Sequence, residues 1–397
     1  MKEDNYIRYR KMKALGNKIR FILCSIFPIK QNRIAVCTFE GKGGFGCNPK
    51  YIVEELHNQD KEYEFIWFVN DMNKEFPEYI HKVKNTLWNR AYWLSTSKVW
   101  IDNYRNPFGT KKRKGQLYIN TWHGTLCIKP IGKYRGDLLP KIAEIVSEDD
   151  SKNIDYVLSG SKWCDEHYPL GLLYGGEIIR TGSPRCDILI NRGEEERKTI
   201  RDIYNIPENA NILMYAPTFR GGSQSTNRSV ATGEMQIDFE HLIEKLETRF
   251  GGEWYILLRL HPQLAANNEY CKVKKANEKI RDATQYRDMN ELMAGIDAFI
   301  TDYSSAIFEA CLMKIPCFIY ADDLEDYVQD RGDLFFDMYE LPFPVALNSS
   351  TLMKNVENFN IKTYEKKLEA FVVEQGITED GKASKRVVDL IKEYYDR

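Results

Sequence analysis

From position 33 onward, short β-prone runs alternate with stretches of helical periodicity, and this alternation constrains the fold more than anything else in the chain. Strands are expected over 33–39, 64–69, 98–103, 116–122, 156–159 and 178–181. Helical patterns lie between most of them, at 49–58, 89–96, 138–146 and 162–168. Such a rhythm belongs to a parallel sheet with helices on both faces. A polar helical stretch, 194–204 (EEERKTIRDIY), marks a division, after which strand runs recur at 212–215, 254–260, 298–301 and 317–320. Two α/β halves joined by a hinge imply a cleft, with ligands at the carboxyl ends of the strands. The segment 381–395 is an amphipathic helix that suits either half. The Gly/Ser/Thr-rich stretch 221–233 reads as a mobile loop over the cleft.

A length of 397 residues accommodates two ordinary domains, and 43% apolar with 29% charged residues describes a globular chain. With 56 basic against 58 acidic residues, bulk charge gives no reason to expect nucleic acid as a partner. Nine cysteines are scattered without a CxxC pair, and no Cys/His ladder has zinc spacing. They read as reduced, buried thiols of a cytosolic protein. The adjacent pairs Asp149-Asp150 and Asp322-Asp323 point in different directions, so no metal site is expected and no cofactor is required.

The N-terminus departs from this neutrality. Residues 1–33 carry nine Lys/Arg against Glu3 and Asp4, interleaved with Ile7, Leu15, Ile19, Ile22, Leu23, Ile26 and Phe27. The apolar run 21–27 falls short of the roughly 20 residues that span a bilayer, and no small-residue cleavage site follows it. A basic amphipathic helix on an anionic membrane surface fits the pattern; a helix packed on the protein's own surface is the alternative. A second basic run, 111–114, suits the same surface or a solvated turn.

Several motifs fall at the carboxyl ends of the expected strands. Asp302-Tyr303-Ser304-Ser305 follows the run ending at Thr301, and apolar positions at helical spacing continue from Ser304 to Met313. Hydroxyls and unpaired amides where a strand hands over to a helix suit a phosphate, and Glu309, one turn on, suits an adjoining ribose hydroxyl. Alone, Ser304 would be an N-cap. His123-Gly124 follows the strand ending at Trp122; a turn with an incidental histidine is the plainer reading, and the Lys-rich loop beside it favours function. Arg259 and His261 point to one side of an extended run, as a salt-bridge partner and neighbour or as a cradle for an anionic leaving group. Arg185 and Arg220 stand beside Gly and Pro turns, suited to phosphates or to any of many carboxylates.

At these motifs the sequence resembles the CDP-glycerol glycerophosphotransferase family, which includes teichoic acid primases and polymerases. The matching segments are TWHGT (121–125) with Lys129 after it, GSPRCD (182–187), YAPTFR (215–220), RLHP (259–262), ITDYSSAIFEA (300–310) and the stretch 319–345. The family's usual Pro-Leu after HGT is Leu126-Cys127-Ile128 here, and its usual GYPRND is GSPRCD. The resemblance implies a GT-B type fold, two Rossmann-like domains facing a central cleft, preceded by a basic N-terminal helical segment. On that basis 1–32 is a membrane-associating segment, 33–190 an acceptor domain and 191–397 the CDP-donor domain. It implies His123 and His261 as catalytic residues. Donor binding falls to Arg259, Ser304, Ser305, Asp302, Glu309, Arg220 and Thr218, and the acceptor side to Gly124, Thr125, Lys129 and Arg185.

The expected chemistry is in-line attack by an acceptor hydroxyl on the β-phosphorus of CDP-glycerol, expelling CMP, with His123 as general base. The expected acceptor is a lipid-linked glycopolymer at the cytoplasmic face of a bacterial membrane, in teichoic acid or capsule synthesis. CDP-ribitol as donor, a GT-B transferase using a nucleotide sugar, and a nucleotide-binding assembly subunit without turnover are the alternatives.

Overall fold

Within each central strand, successive side chains point to opposite faces, and both faces are apolar, as a sheet covered on both sides requires. In a computed structural model, the structure describes residues 3–218, 237–260 and 277–395, apart from the side chains at 330 and 331. Contacts divide the chain into two compact units. The first comprises Met1–Thr125, Ile131–Asp187 and Gly376–Arg397, and the second Leu126–Pro130 and Ile188–Gln375.

The first unit holds β1 (Lys30–Cys37), β2 (Glu64–Val69), β3 (Ile80–Lys84), β4 (Ser97–Asp102), β5 (Leu117–Asn120), β6 (Tyr156–Ser159) and β7 (Glu177–Arg180). Their spatial order is β3-β2-β1-β4-β5-β6-β7, with every pairing parallel. Ile34, Val36, Val99, Ile101 and Ile119 pack on one face with Ile52 and Leu56 of helix Cys47–Gln59 and with Val387 and Ile391 of helix Ala383–Tyr395. Ala35, Cys37, Phe68, Trp100 and Tyr118 pack on the other with Ala91 and Leu94 of helix Leu87–Thr96. Burying each such aliphatic side chain contributes about 1.5–3 kcal/mol.

Helix Glu3–Cys24 inserts Phe21 and Cys24 into that second cluster. It lies against the turn at Gly109, whose φ is +83° and whose missing Cβ would stand 2.3 Å from the Ala14 carbonyl oxygen. The described cysteines are all buried. Among the described residues, no helix is long and apolar enough to cross a membrane.

The C-terminal helix corrects the expected boundary at 191–397, because it belongs to the first unit. Asp187 accepts from the amides of Ala383 and Ser384 at 2.9 and 2.7 Å, capping the helix that buries Val387, Val388 and Ile391. The edge strand β3 (IHKVK) was not anticipated, since charged residues interrupt its pattern.

The second unit holds β8 (Asn211–Tyr215), β9 (Trp254–Leu258), β10 (Ile280–Asp282), β11 (Ala298–Thr301), β12 (Cys317–Tyr320) and β13 (Val345–Ala346). Their order is β10-β9-β8-β11-β12-β13, again all parallel. β10 and β13, at three and two residues, are too short to carry a periodic signal. In each sheet the strand order reverses once, between β1 and β4 and between β8 and β11. Open α/β sheets bind ligands outside the carboxyl ends of strands at such a reversal.

Candidate active site

At the reversal in the first sheet, three strand ends converge on His123. The chain leaves β5 through a tight turn in which the Asn120 side chain accepts from the Trp122 amide at 2.9 Å, with Trp122 at φ +49°. That turn brings the Nδ1 of His123 to 2.7 Å from the carbonyl oxygen of Asn103, just beyond β4. A carbonyl only accepts, so Nδ1 carries the proton and Nε2 keeps its lone pair.

Aromatic rings enclose the imidazole: Trp122 at 4.2 Å between centroids, Phe39 at 5.3 Å and Tyr104 at 5.7 Å. Enclosure pushes His123 down from an ordinary imidazole value to about 4; the bond to Asn103 opposes the shift, and the charges of Arg185 and Arg105 add to it. Beyond β1, Phe39, Glu40 and Gly41 all occupy the left-handed region, at φ +47°, +55° and +81°. The Asn103 side chain accepts from the Phe39 amide at 2.8 Å and holds this costly conformation in place.

Beneath the site lies a buried polar network. Arg90 donates to Asp102 at 3.3 Å, to Asn106 at 2.5 Å and to the Cys37 thiol at 3.3 Å. Burial pushes the Asp102 carboxyl up to about 7, with Arg90 pulling it back. Asp102 also accepts from the Tyr104 amide at 3.0 Å, so the network sets the backbone that grips His123. None of Phe39, Arg90, Asp102, Asn103 or Tyr104 was singled out from the sequence. The run Asp102-Asn103-Tyr104 at the carboxyl end of the expected strand 98–103 was the available signal.

Arg185, Gly124 and Thr125 brace the turn that carries His123. Arg185 is buried and donates to the His123 carbonyl oxygen at 2.6 Å and to the Cys47 sulfur at 3.1 Å, while its amide donates to Asn48 at 3.0 Å. The Gly124 carbonyl accepts from the Tyr168 hydroxyl at 2.7 Å, and the Thr125 carbonyl accepts from Ser161 at 3.4 Å. Lys129 is half-buried in the short segment assigned to the second unit.

At the reversal in the second sheet, Asp302 accepts from both the amide and the hydroxyl of Thr218 and from the Tyr303 amide. The carboxylate is buried and ties the end of β11 to the end of β8. Arg259, at the end of β9, donates to the carbonyl oxygens of Ala283 and Thr284. Burial pushes its guanidinium down.

The helix expected from Ser304 to Met313 is shorter: an α-helical turn over Ile307–Ala310 and a 3-10 turn over Cys311–Met313. Side chains replace the first helical bonds, because Ser304 Oγ accepts from Ala306 and Asp302 from Tyr303. Ser304 and Ser305 remain half-exposed at the strand end. Glu309 is buried and accepts from the Asn290 side chain at 2.9 Å. Phe219, Arg220, the stretch 221–233, His261 and Pro262 lie outside the described residues. Among the described residues, no group of three or more His, Cys, Asp or Glu is placed to hold a metal ion.

A family model described as CDP-Glycerol:Poly(glycerophosphate) glycerophosphotransferase matches residues 19–393. A teichoic acid poly(glycerol phosphate) polymerase of Staphylococcus epidermidis is 30% identical over 91% of this chain and 51% of its own length. One of Bacillus spizizenii is 26% identical over 98% of this chain and 99% of its own length. The chain therefore spans about half of the first relative and nearly all of the second. Further relatives include a teichoic acid poly(ribitol-phosphate) polymerase of Bacillus spizizenii, 28% identical over 92% of this chain and 57% of its own. The solved structure of the wall teichoic acid polymerase TagF superposes with a TM-score of 0.81 at 25% identity, covering 98% of each chain. The chain belongs to the CDP-glycerol:poly(glycerophosphate) glycerophosphotransferase family.

Proposed function

We propose that the protein transfers glycerol phosphate from CDP-glycerol to a hydroxyl of a teichoic-acid-type acceptor, releasing CMP, in a two-domain enzyme of GT-B type. The observation that carries the reading is His123: its Nδ1 is committed to Asn103, leaving Nε2 as an unprotonated base at a strand-order reversal. The acceptor oxygen bonds to the β-phosphorus as its proton passes to Nε2. The bond to the bridging oxygen breaks, and its electron pair leaves with CMP. Phosphoryl transfer of this kind is governed by positioning and charge neutralisation.

In this scheme Arg259 and His261 hold the leaving α-phosphate, Arg220 the β-phosphate, and Ser304 with Ser305 the pyrophosphate. Glu309 reaches the ribose only if it exchanges its bond to Asn290. Asp302 and Thr218 support the donor side by fixing the loops. Arg185 with Gly124 and Thr125 support the acceptor side by fixing the His123 turn, and Lys129 faces the acceptor. No cofactor enters the scheme. The acceptor is a lipid-linked polymer, reached from the cytoplasmic membrane face through helix Glu3–Cys24.

A second reading, ribitol phosphate in place of glycerol phosphate, is favoured by the ribitol-phosphate relatives. The test is incubation with CDP-glycerol, CDP-ribitol and UDP-sugars beside an acceptor, following CMP and UDP. Release of CMP from CDP-glycerol is expected. Release of UDP alone, or of no nucleotide, sinks the reading.

A further inference from the structure

One side chain outside the sequence motifs touches both supports of His123. Asn48 stands in the first turn of helix Cys47–Gln59, whose Ile52, Val53 and Leu56 are fully buried in the core of the first sheet. A helix anchored in this way is a rigid mount, and Asn48 itself is only 2% exposed. Its Nδ2 donates to the carbonyl oxygens of Thr121 at 3.2 Å and Trp122 at 3.1 Å, the two residues that precede His123. Its Oδ1 accepts from the Arg185 amide at 3.0 Å. Both protons of the side-chain amide are used, and its oxygen meets an N–H, so its partners fix its orientation.

Cys47, its neighbour in the chain, accepts from the Arg185 guanidinium at 3.1 Å. Arg185 in turn donates to the His123 carbonyl oxygen at 2.6 Å. One helical turn thus grips the peptide units on either side of the His123 Cα, directly at Trp122 and through Arg185 at His123. Trp122 needs such a hold, because it stands at φ +49°, where a bulky residue is strained. Released, the turn relaxes, and Nδ1 loses the Asn103 carbonyl oxygen that it meets at 2.7 Å. With that bond goes the proton assignment that leaves Nε2 free as a base.

We propose that Asn48 is a positioning residue for the transfer, setting the His123 ring by clamping the backbone before and after it. This role rests on the transferase reading and deepens it. Buried as it is, Asn48 offers no surface to a substrate and acts through the imidazole. Its loss therefore lowers kcat and leaves donor binding alone.

The test uses the full chain with Asn48→Ala and the near-isosteric Asn48→Asp, alone and in a His123→Ala background. Below all melting temperatures, each single variant should lose about ten- to a hundredfold in kcat for CMP release, as a small misplacement of a reacting group does. KM and calorimetric affinity for CDP-glycerol should stay as in the parent. In the His123→Ala background, Asn48→Ala should cost less than about twofold more, since the group it positions is gone. Asn48→Ala adds no charge, so its effect on the imidazole reads geometry alone. The NMR titration midpoint of His123 should rise from about 4 toward the ordinary 6.5 as the ring leaves its enclosure. Asn48→Asp sets a carboxylate against two carbonyl oxygens; should it not fold, Asn48→Ala carries every arm.

Parent-like kcat in Asn48→Ala overturns the proposal. So does an undiminished further loss in the His123→Ala background, or a midpoint that stays near 4 while kcat falls. Either would make Asn48 a residue of the fold alone. A parallel fall in CDP-glycerol affinity would place it on the donor and likewise overturn the proposal. Failure of the transferase reading shows separately, as a parent that releases no CMP while the NMR arm still reads the clamp.

Discussion

The guanidinium of Arg185 donates to the carbonyl oxygen of His123 at 2.6 Å, although 62 residues separate them in the chain. An arginine that reads from the sequence as a phosphate clamp is thus a buried strut beneath the general-base candidate. Arg185→Lys removes the planar fork but keeps the charge. We expect activity to fall at least about tenfold with a small change in melting temperature, because a slight misplacement of a catalytic group costs orders of magnitude. Arg185→Ala leaves the His123 carbonyl without this donor and should also destabilise the fold by about 1–3 kcal/mol in denaturant titration. A fully active Lys variant would contradict the strut.

His123, lowered to about 4, stays neutral well below the usual imidazole range. Folding therefore favours the unprotonated ring, and this contribution to stability is complete above the unfolded value of about 6.5 and lost as pH falls toward 4. The base form persists over the same window. The expected pH profile of kcat/KM shows no acid limb near 6.5, and the ring's NMR titration has its midpoint near 4 in the free protein. A bound phosphate should move that midpoint upward, since an anion favours the imidazolium. His123→Ala should lower kcat by roughly a hundred- to ten-thousandfold. A midpoint near 6.5 in the free protein would remove the basis for this profile.

Asp302 takes two amide donors and one hydroxyl donor in a buried position, leaving no room for an amide group. In Asp302→Asn, an NH2 faces an N–H donor, and about 1–3 kcal/mol of stability should be lost. Thr218→Val removes the hydroxyl donor alone and should cost about 1 kcal/mol. Both should raise KM for CDP-glycerol, because the loops that follow β8 and β11 lose their tie. A higher acceptor KM with an unchanged donor KM would reassign this end of the second sheet.

Helix Glu3–Cys24 and the turn after it bury Phe21 and Cys24, yet they expose Leu15, Ile19, Leu23, Ile22 at 64% and Ile26 at 80%. Deleting the segment would open the core, so point substitution is the cleaner probe. Ile22→Glu with Ile26→Glu should reduce binding to anionic liposomes at least about tenfold, with melting temperature and activity on a soluble acceptor retained. Equal liposome binding by parent and double variant would exclude this face as the membrane contact.

Much of the site could be read from local pattern. The strand ends carrying His123, Arg185, Thr218, Arg259 and Asp302 were legible because each motif sits where a β-prone run stops. The supporting cast was not. Asn103 grips His123 through a backbone carbonyl, and a carbonyl has no residue signature. The left-handed run at Phe39 and Glu40 was hidden because those residues seldom adopt that conformation. The helix after Ser304 was overestimated because apolar spacing cannot show that a side chain will take the first amide.

The sequence by itself determined the α/β class, the places where strands end and the membership of a family, since all are written in short windows of periodicity and motif. Tertiary structure alone decided the strand order, the return of helix Ala383–Tyr395 to the first unit and the use of Arg185 and Asp302 as ties. The reason is physical. A hydrophobic period records which face of an element must be covered, and many partners satisfy it; only close packing of the whole core selects which partner does.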